Sequence, residues 1–221
     1  IDGENLNGVY SANEYLTRTN LMKAYDRDNL NTPIMKSHKV AVLGGGNVAM
    51  DSARTAMRMG AESVKIVYRR SRAEMPARVE EIHHAEEEGI EFHLLTSPLK
   101  FNGDENGRVT SMECQQMQLG ECDASGRCRP EPIEGSEFTM DCDLVVISVG
   151  AGANPLLTQS TEGLSLTKRG YIVADEKTGK TTKKGVWAGG DIVTGMATVI
   201  LAAGAGRASS DSIHDYLNLG W

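Results

Sequence analysis

The chain of 221 residues is poor in aromatic side chains, which make up 5% of it, and it has no long apolar run. The longest such run, Leu144 to Val149, has the length of a strand. A helix that crosses a bilayer needs roughly 20 apolar residues, so we predict no membrane span, and no signal peptide is visible. Hydrophobic residues make up 40% and charged residues 24%, which is typical of a soluble globular protein.

Acidic residues outnumber basic ones by 30 to 23, so the formal net charge is −7, and no long basic run is present. A protein that binds nucleic acid normally carries a basic face. We therefore exclude nucleic acid as a partner and expect an acidic cytoplasmic protein.

None of the four cysteines forms a C-x-x-C pair, which argues against a redox dithiol and against a zinc or iron–sulfur cage. No metal site is predicted. Cytoplasmic thiols are normally reduced, so we expect four reduced cysteines. Cys122 and Cys128 can meet across a turn at Ser125-Gly126, but the expected compartment disfavours a disulfide there. The other two cysteines are Cys114 and Cys142.

Hydrophobic periodicity predicts strands that alternate with helices in the first half of the chain. This order predicts an α/β fold with a parallel sheet and right-handed crossovers. The predicted elements are a strand at His38–Leu43, a helix at Asn47–Met59, a strand at Ser63–Tyr68, a helix from Pro76 to Glu88 and a strand at Glu91–Leu95.

The pattern then changes to short polar strands separated by turns, which predicts an antiparallel meander from Pro98 to Cys142. A strand buried on both faces follows at Leu144–Val149. We divide the chain into a connector over residues 1–36, a domain over 37–149 and a second domain over 150–221.

The flanking segments carry weaker patterns. In the connector we expect a short strand at Val9–Ala12 and a short helix at Asn20–Arg27. In the last segment we expect short strands at Gly170–Ala174 and Gly185–Ala188, then a long helix from Thr198 to Leu217. Small residues over 202–206 would let this helix approach a neighbour or a ligand closely.

The strongest local motif is Gly44-Gly45-Gly46-Asn47-Val48-Ala49, which fits G-x-G-x-x-A between a predicted strand and a predicted helix. Gly44 permits the tight turn, Gly46 lets the backbone touch a pyrophosphate, and Ala49 lets the helix pack closely. The helix N-terminus offers N–H groups to phosphates. The motif predicts a dinucleotide site, and a purely structural glycine turn is the alternative.

The end of the next strand indicates which dinucleotide is bound. NAD-binding proteins carry an acidic residue there for the ribose hydroxyls, but this chain reads Tyr68-Arg69-Arg70-Ser71-Arg72. A guanidinium suits a ribose 2′-phosphate. We predict NADPH rather than NADH, with Arg69 and Arg70 as main selectors beside Arg72. A solvated basic turn is the alternative.

Four motifs occur in a familiar order along nearly the whole chain. They are 43–51 around the glycines, Val67-Tyr68-Arg69-Arg70-Ser71, Met75-Pro76-Ala77-Arg78 and Trp187-Ala188-Gly189-Gly190-Asp191. They resemble the glutamate synthase small subunit, the reductase half of dihydropyrimidine dehydrogenase and related ferredoxin–NADP oxidoreductases. The resemblance implies an NADPH domain inserted into a split FAD domain, whose second part is residues 150–221.

The resemblance also implies site residues. Gly190 and Asp191 match the flavin motif of the family, although a simple strand-to-helix turn is the alternative. Ala197, Thr198 and Val199 would start the final helix beneath the isoalloxazine ring. Ser148, Val149 and Gly150 match the crossover near the nicotinamide, and Arg78 joins the cofactor-binding set. No catalytic side chain is implied, because the cofactors carry the chemistry.

The first FAD motif of the family is not in the chain, so we expect a fragment that binds FAD weakly or not at all and is inactive alone. In the intact protein the resemblance implies hydride transfer from NADPH to FAD, then electron flow through iron–sulfur clusters. The electron-acceptor partner would be the large subunit of glutamate synthase or another acceptor subunit. The rival interpretations are a ferredoxin–NADP oxidoreductase or sulfide dehydrogenase, and a non-catalytic nucleotide-binding module.

Overall fold

The computed structural model describes residues 1–26, 28, 32–123, 126–150 and 152–220. The chain divides into two compact units, Ile1–Val149 and Gly150–Trp221. None of the described helices is long and apolar enough to cross a bilayer.

The described part of the first unit has eight strands and three α-helices. In chain order the strands are β1 (Val9–Ser11), β2 (Lys39–Leu43), β3 (Ser63–Tyr68), β4 (Glu91–Leu94), β5 (Thr96–Gly103), β6 (Val109–Cys122), β7 (Cys128–Asp141) and β8 (Leu144–Ile147). The helices are α1 (Ala12–Leu16), which continues into a π-helical turn at Thr17–Leu21, α2 (Asn47–Arg58) and α3 (Val79–Glu87).

Two sheets build this unit. One has five parallel strands in the order β1-β8-β2-β3-β4, and the other has three antiparallel strands in the order β5-β6-β7. The predicted α/β fold with a parallel sheet and an antiparallel meander is therefore confirmed. The segment 1–36, expected to be a connector, contributes β1 and α1 to this unit.

The central strands are buried on both faces because each face of the parallel sheet is covered. Val40, Val42 and Val146 point into a core that includes α2 residues such as Ala53. Side chains on the other face of the parallel sheet pack against the antiparallel sheet, where Phe101 is 1% exposed. A continuous apolar run is expected for a strand covered on both sides.

The helix predicted at Asn20–Arg27 was wrong, because the helical backbone spans residues 12–21 and Lys23 has φ +54°. Ser11 is the N-cap of α1, with Oγ accepting a hydrogen bond from the Glu14 N–H at 3.2 Å. Such a cap satisfies an otherwise unpaired donor and fixes the start of the helix. Arg27, the predicted last residue, lies outside the described residues.

The third helix starts at Val79 rather than Pro76, because tertiary contacts hold the preceding backbone extended. The Ala77 N–H donates to the Gly45 carbonyl at 3.1 Å, and the Arg78 N–H donates to Asn47 Oδ1 at 2.9 Å. Arg78 itself has φ −64° and ψ 144°, which is extended backbone. These bonds replace the helical ones that the sequence pattern suggested.

The cysteine prediction was wrong for two of the four residues. The register of β6 and β7 places Cys122 directly opposite Cys128, and the two form a disulfide. Directly opposed residues of an antiparallel pair lie close enough for side-chain contact, which outweighs the compartment argument. Gly126 lies in the connecting turn with φ +79°, whereas Ser125 lies outside the described residues.

The remaining two cysteines are free thiols buried between the sheets. Burial raises the pKa of Cys114 to about 11 and that of Cys142 to about 12, because the charged thiolate is poorly solvated there. Such thiols are structural apolar groups rather than reactive ones.

The described part of the second unit contains α4 (Pro155–Ser160), α5 (Asp191–Thr194) and α6 (Val199–Leu219). The predicted final helix is confirmed. The two predicted strands were wrong, since only isolated bridges form, at Leu166↔Ile172, Ala174↔Thr181 and Lys180↔Trp187. A turn closed by the Asp175 side chain, which accepts from Thr178 at 2.8 Å, interrupts the extended backbone.

Candidate functional site

The order of the parallel strands creates a switch point between β2 and β8. From β2 the chain moves outward to β3 and β4, and β8 then returns on the other side of β2. In open α/β sheets, ligands bind at the carboxyl edge where the strand order reverses. Gly44 follows β2 and Ser148 follows β8, so both residues lie at this point.

The first two glycines of the motif are required by packing. Gly44 has φ +132°, and a Cβ there would lie 2.4 Å from the Ser148 carbonyl oxygen. At Gly45 a Cβ would lie 2.9 Å from the Tyr68 ring. The Tyr68 hydroxyl donates to the Glu74 carbonyl at 2.9 Å, which fixes the ring against the turn. Larger residues at these positions would displace backbone or a packed ring.

The third glycine has no such internal reason. Gly46 is the N-cap of α2 with φ −94° and ψ 176°, a conformation open to any residue. The nearest atom that a Cβ would meet is Pro76 Cγ at 3.8 Å, an ordinary contact. Space outside the backbone at Gly46 is therefore left open by the fold.

The start of α2 presents unpaired donors beside Gly46. The N–H groups of Ala49 and Met50 donate to the Gly46 carbonyl, but those of Asn47 and Val48 have no acceptor in the part of the chain that the structure describes. Free N–H groups and the helix dipole attract anions. Ala49 is 0% exposed, so the helix packs closely on the sheet as the motif predicts.

The crossover residues lie at the end of β8. Ser148 is nearly buried, its N–H donates to the Leu43 carbonyl at 2.8 Å, and its hydroxyl lies 3.4 Å from Ser52 Oγ on α2. Val149, the last residue of the first unit, is 71% exposed. Gly150 belongs to the second unit and has φ +96°.

The three arginines after β3 have different environments. Arg69 is exposed, and its side chain has no partner within the described residues. Arg70 is half-buried and its Nε donates to the Cys128 carbonyl at 2.9 Å. Arg72 forms a two-point ion pair with Glu86, with Nη2 to Oε2 at 2.8 Å, and this hydrogen bonding raises its pKa.

The structure thus separates Arg72 from the other two, because its guanidinium is already neutralised by a carboxylate. Arg78 is exposed at the N-cap of α3 and is joined to the glycine motif through its backbone. The structure also adds Glu74 and Cys128 to this region, which the sequence interpretation missed. The spacing Ser71-x-x-Glu74 is a capping-box pattern and was the available signal.

The predicted residues of the second unit lie together where α5 and α6 begin. Gly190 is the N-cap of α5 with φ +75°, and Asp191 Oδ1 accepts from the Ala197 N–H at 3.2 Å. Thr198 is the N-cap of α6, with Oγ1 accepting from Leu201 N–H at 3.4 Å. Val199 follows and is 85% exposed.

The small residues of α6 do allow a close approach. A Cβ at Gly189 would lie 2.9 Å from Ala205 Cβ, and one at Gly190 would lie 3.4 Å from Ala202 Cβ. The helix and the loop before α5 therefore pack backbone against backbone, which orients the first turn of α6 beside Asp191.

Comparisons with known proteins agree with this geometry. The family model described as pyridine nucleotide-disulphide oxidoreductase matches residues 1–206. The chain is 46% identical over 188 residues to the NADP(+)-dependent formate dehydrogenase subunit beta of Moorella thermoacetica, covering 85% of this chain and 26% of that protein. It is 41% identical over 221 residues to the glutamate synthase [NADPH] small chain of Azospirillum brasilense, covering 97% and 45% respectively.

Among solved structures, Mycobacterium tuberculosis FprA in complex with NADPH matches with a TM-score of 0.75 and 21% identity, covering 99% of this chain and 61% of that one. This likeness shows a shared fold. The chain spans less than half the length of the two curated relatives named above. From its family match over residues 1–206, its strand order and its glycine motif, we conclude that the chain belongs to the pyridine nucleotide-disulphide oxidoreductase family.

Proposed function

We propose that the first unit binds NADPH and that the whole protein uses it to reduce FAD. The observation that carries the proposal is the opening at Gly46, where neither packing nor backbone conformation requires glycine. The two N–H groups that start α2, which have no acceptor among the described residues, lie beside it at the switch point of the sheet. A pyrophosphate that approaches the backbone at Gly46 would accept hydrogen bonds from both.

Arg69 and Arg70 are the proposed selectors of NADPH over NADH. They follow β3, where an acidic residue would recognise the ribose hydroxyls of NAD, and neither is neutralised by a carboxylate ion pair among the described residues. Within the described part of the chain, Arg70 bonds through its Nε to Cys128, which leaves its two terminal nitrogens available to a phosphate. Arg72 is assigned only a supporting role, because its guanidinium is already paired with Glu86.

The second unit, residues 150–221, is the proposed second part of a split FAD domain. Asp191 would accept a hydrogen bond from a flavin hydroxyl, and Thr198 would set the start of α6 beneath the ring. Val199 and Ile200 are 85% and 83% exposed, so the first turn of α6 presents an apolar surface. A flat aromatic ring system would be a suitable partner for such a surface.

When bound in the whole protein, NADPH would supply a hydride for transfer to FAD. The residues of this chain would bind and orient the two cofactors: the glycine motif would hold the pyrophosphate, and Ser148 to Gly150 would lie at the crossover. We propose that the electrons pass on through iron–sulfur clusters to an acceptor subunit, as in a glutamate synthase of the NADPH type. The identity of 41% over 97% of this chain supports that assignment.

A second candidate is an NADP-dependent formate dehydrogenase subunit. It is favoured by the 46% identity to the subunit beta of Moorella thermoacetica. Both candidates share the step between NADPH and flavin and differ in the electron acceptor. Complementation of a glutamate auxotroph by the whole protein with its large subunit would distinguish them, since only the glutamate synthase would restore growth.

Calorimetric titration of the chain with NADPH, NADH and FAD tests the shared step. We expect NADPH to bind at least about tenfold more tightly than NADH, a difference of about 1.4 kcal/mol. FAD is expected to bind weakly or not at all to this chain. Equal affinities for NADPH and NADH would contradict the arginine assignment, and absence of any NADPH binding would contradict the proposed function itself.

Arg69→Ala sharpens this test, with Arg72→Ala as the matched control. Each variant removes one guanidinium after β3, but Arg69 has no partner among the residues that the structure describes, while Arg72 is paired with Glu86. We expect Arg69→Ala to lower NADPH affinity and leave NADH affinity unchanged. The control should keep most of the NADPH preference, and equal losses in the two variants would indicate a general charge effect instead.

A further inference from the structure

The turn that carries the arginines is held by the tip of the β6–β7 hairpin. Arg70 Nε donates to the Cys128 carbonyl at 2.9 Å, and the Cys128 N–H donates to Glu74 Oε1 at 3.3 Å. Cys128 is 54 residues from Glu74 and 58 from Arg70 in sequence. The backbone N–H and carbonyl of Cys128 are therefore both hydrogen-bonded to side chains of this turn.

Glu74 closes the other side of this arrangement. Its second oxygen, Oε2, accepts from the Ser71 N–H at 3.0 Å and from the Ser71 hydroxyl at 2.8 Å. Burial alone would raise the pKa of Glu74, but these hydrogen bonds, the one from Cys128 and the nearby Arg70 charge together lower it. The carboxylate thus stays ionised and joins the turn after Arg70 to the hairpin.

The backbone of Arg70 is held as well. Its carbonyl accepts from the Leu95 N–H at 3.1 Å, and the Leu95 carbonyl accepts from Met117 N–H on β6 at 2.7 Å. Leu95 has φ +50°, which is unusual for a leucine. Strained backbone persists where the surrounding structure fixes it and is often found near binding sites.

These contacts determine which edge of the Arg70 guanidinium faces outward. The Nε edge is occupied by Cys128, and the terminal edge of two amino groups remains for a ligand. A bidentate contact to phosphate depends on that orientation. The hairpin tip itself is closed by the Cys122–Cys128 disulfide, which limits the positions that Cys128 can take.

We propose that Glu74 is a positioning residue for the adenosine 2′-phosphate, which acts through the hairpin residue Cys128 to orient Arg70. The inference rests on the proposed NADPH site and adds an acidic residue to its specificity. Simple electrostatics gives the opposite expectation, because a carboxylate near a phosphate weakens its binding. A substitution of Glu74 that weakens phosphate binding therefore supports the positioning role, and one that strengthens it supports simple repulsion.

Glu74→Gln and Glu74→Asp are the variants of choice. Glutamine has one acceptor oxygen and one amino group, so it cannot accept from Ser71 and Cys128 together. Aspartate keeps the charge but is one methylene shorter, so it cannot span both partners. Glu105→Gln is the matched control, since it removes the same charge from the turn before β6. The 14 residues of β6 separate Glu105 from the hairpin tip, a distance of roughly 40 Å along the strand.

The probes are adenosine 2′,5′-bisphosphate and adenosine 5′-monophosphate, which differ only in the 2′-phosphate, titrated calorimetrically into the chain. We expect both Glu74 variants to lose at least about threefold in affinity for the bisphosphate, with the monophosphate and the control unchanged. Circular dichroism and urea unfolding check that the variants fold. Stronger binding of the bisphosphate by Glu74→Gln, or parent-like preference in both variants, would overturn the positioning role.

The NADPH site and the role of Glu74 can be tested separately with the same two probes. If the parent does not distinguish the bisphosphate from the monophosphate, the proposed NADPH site is wrong, and the role of Glu74 falls with it. If the parent distinguishes them and the Glu74 variants do so equally well, NADPH selectivity stands and only the hairpin contribution is refuted.

Discussion

Two glycine positions of the motif, Gly44 and Gly46, should separate folding from nucleotide binding. Gly44→Ala puts a methyl group 2.4 Å from a backbone carbonyl oxygen in a conformation with φ +132°. Backbone strain of this kind costs about 1–3 kcal/mol before the clash is counted. Since domains are stable by about 5–15 kcal/mol, we expect Gly44→Ala to lose a large part of the stability of the first unit.

Gly46→Ala should behave in the opposite way. The nearest atom to the new methyl group is 3.8 Å away and the backbone is in an ordinary region. Replacing glycine stabilises by about 0.4–1 kcal/mol through the unfolded chain, while alanine is a poorer N-cap by roughly the same amount. The stability should therefore stay within about 1 kcal/mol of the parent.

NADPH affinity should be sensitive to Gly46→Ala, the substitution that leaves stability nearly unchanged. A methyl group at Gly46 would occupy the space through which a pyrophosphate approaches the start of α2. We expect NADPH affinity to fall at least about tenfold, or about 1.4 kcal/mol. The assays are urea unfolding followed by circular dichroism and calorimetric titration with NADPH. Parent-like NADPH affinity in Gly46→Ala would refute the assigned approach of the phosphates, and parent-like stability in Gly44→Ala would refute the packing argument.

Three further outcomes follow from the structure. In a thiol assay after denaturation without reductant, two thiols should react and reduction should release two more from Cys122 and Cys128; four at the outset would contradict the disulfide. Because burial raises the pKa of Cys142 to about 12, the folded state keeps a proton that the unfolded state releases. Its stabilising contribution is complete below about pH 8.5 and is lost as pH rises toward the folded pKa, by up to about 1.4 kcal/mol per pH unit. The free energy of unfolding, measured in urea between pH 8 and 10, should fall more steeply with pH for the parent than for Cys142→Ala. Equal slopes would count against the burial of the thiol. Finally, Arg54→Ala removes an arginine that is 21% exposed from Glu81 on α3 and from Glu88, the C-cap of α3, and should cost about 1–2 kcal/mol. Arg18→Ala, which removes the more exposed pair of Arg18 with Glu14, should cost less than about 0.5 kcal/mol; similar losses in the free energy of unfolding would contradict this difference.

Local sequence determined the elements of the parallel sheet because their signals are short-range. The apolar run of β8 reflects burial on both faces, and the glycine motif is contiguous. Both β3 and the start of α2 were predicted at their observed residues. The weaker patterns failed where polar contacts compete with them. The strand predicted at Gly185–Ala188 became a single bridge at Trp187, because the Val186 N–H closes a turn on the Lys183 carbonyl and the Val186 carbonyl also accepts from the Thr181 hydroxyl.

The fold class, the family and the dinucleotide motif can be predicted from local pattern, because hydrophobic period and glycine spacing are properties of neighbouring residues. Packing between distant segments establishes which glycine is open to a ligand and which arginine is already neutralised. It also decided that Cys122 meets Cys128 and that Glu74 reaches the same hairpin. These facts join residues that are far apart in sequence, and register and packing, rather than local pattern, bring such residues together.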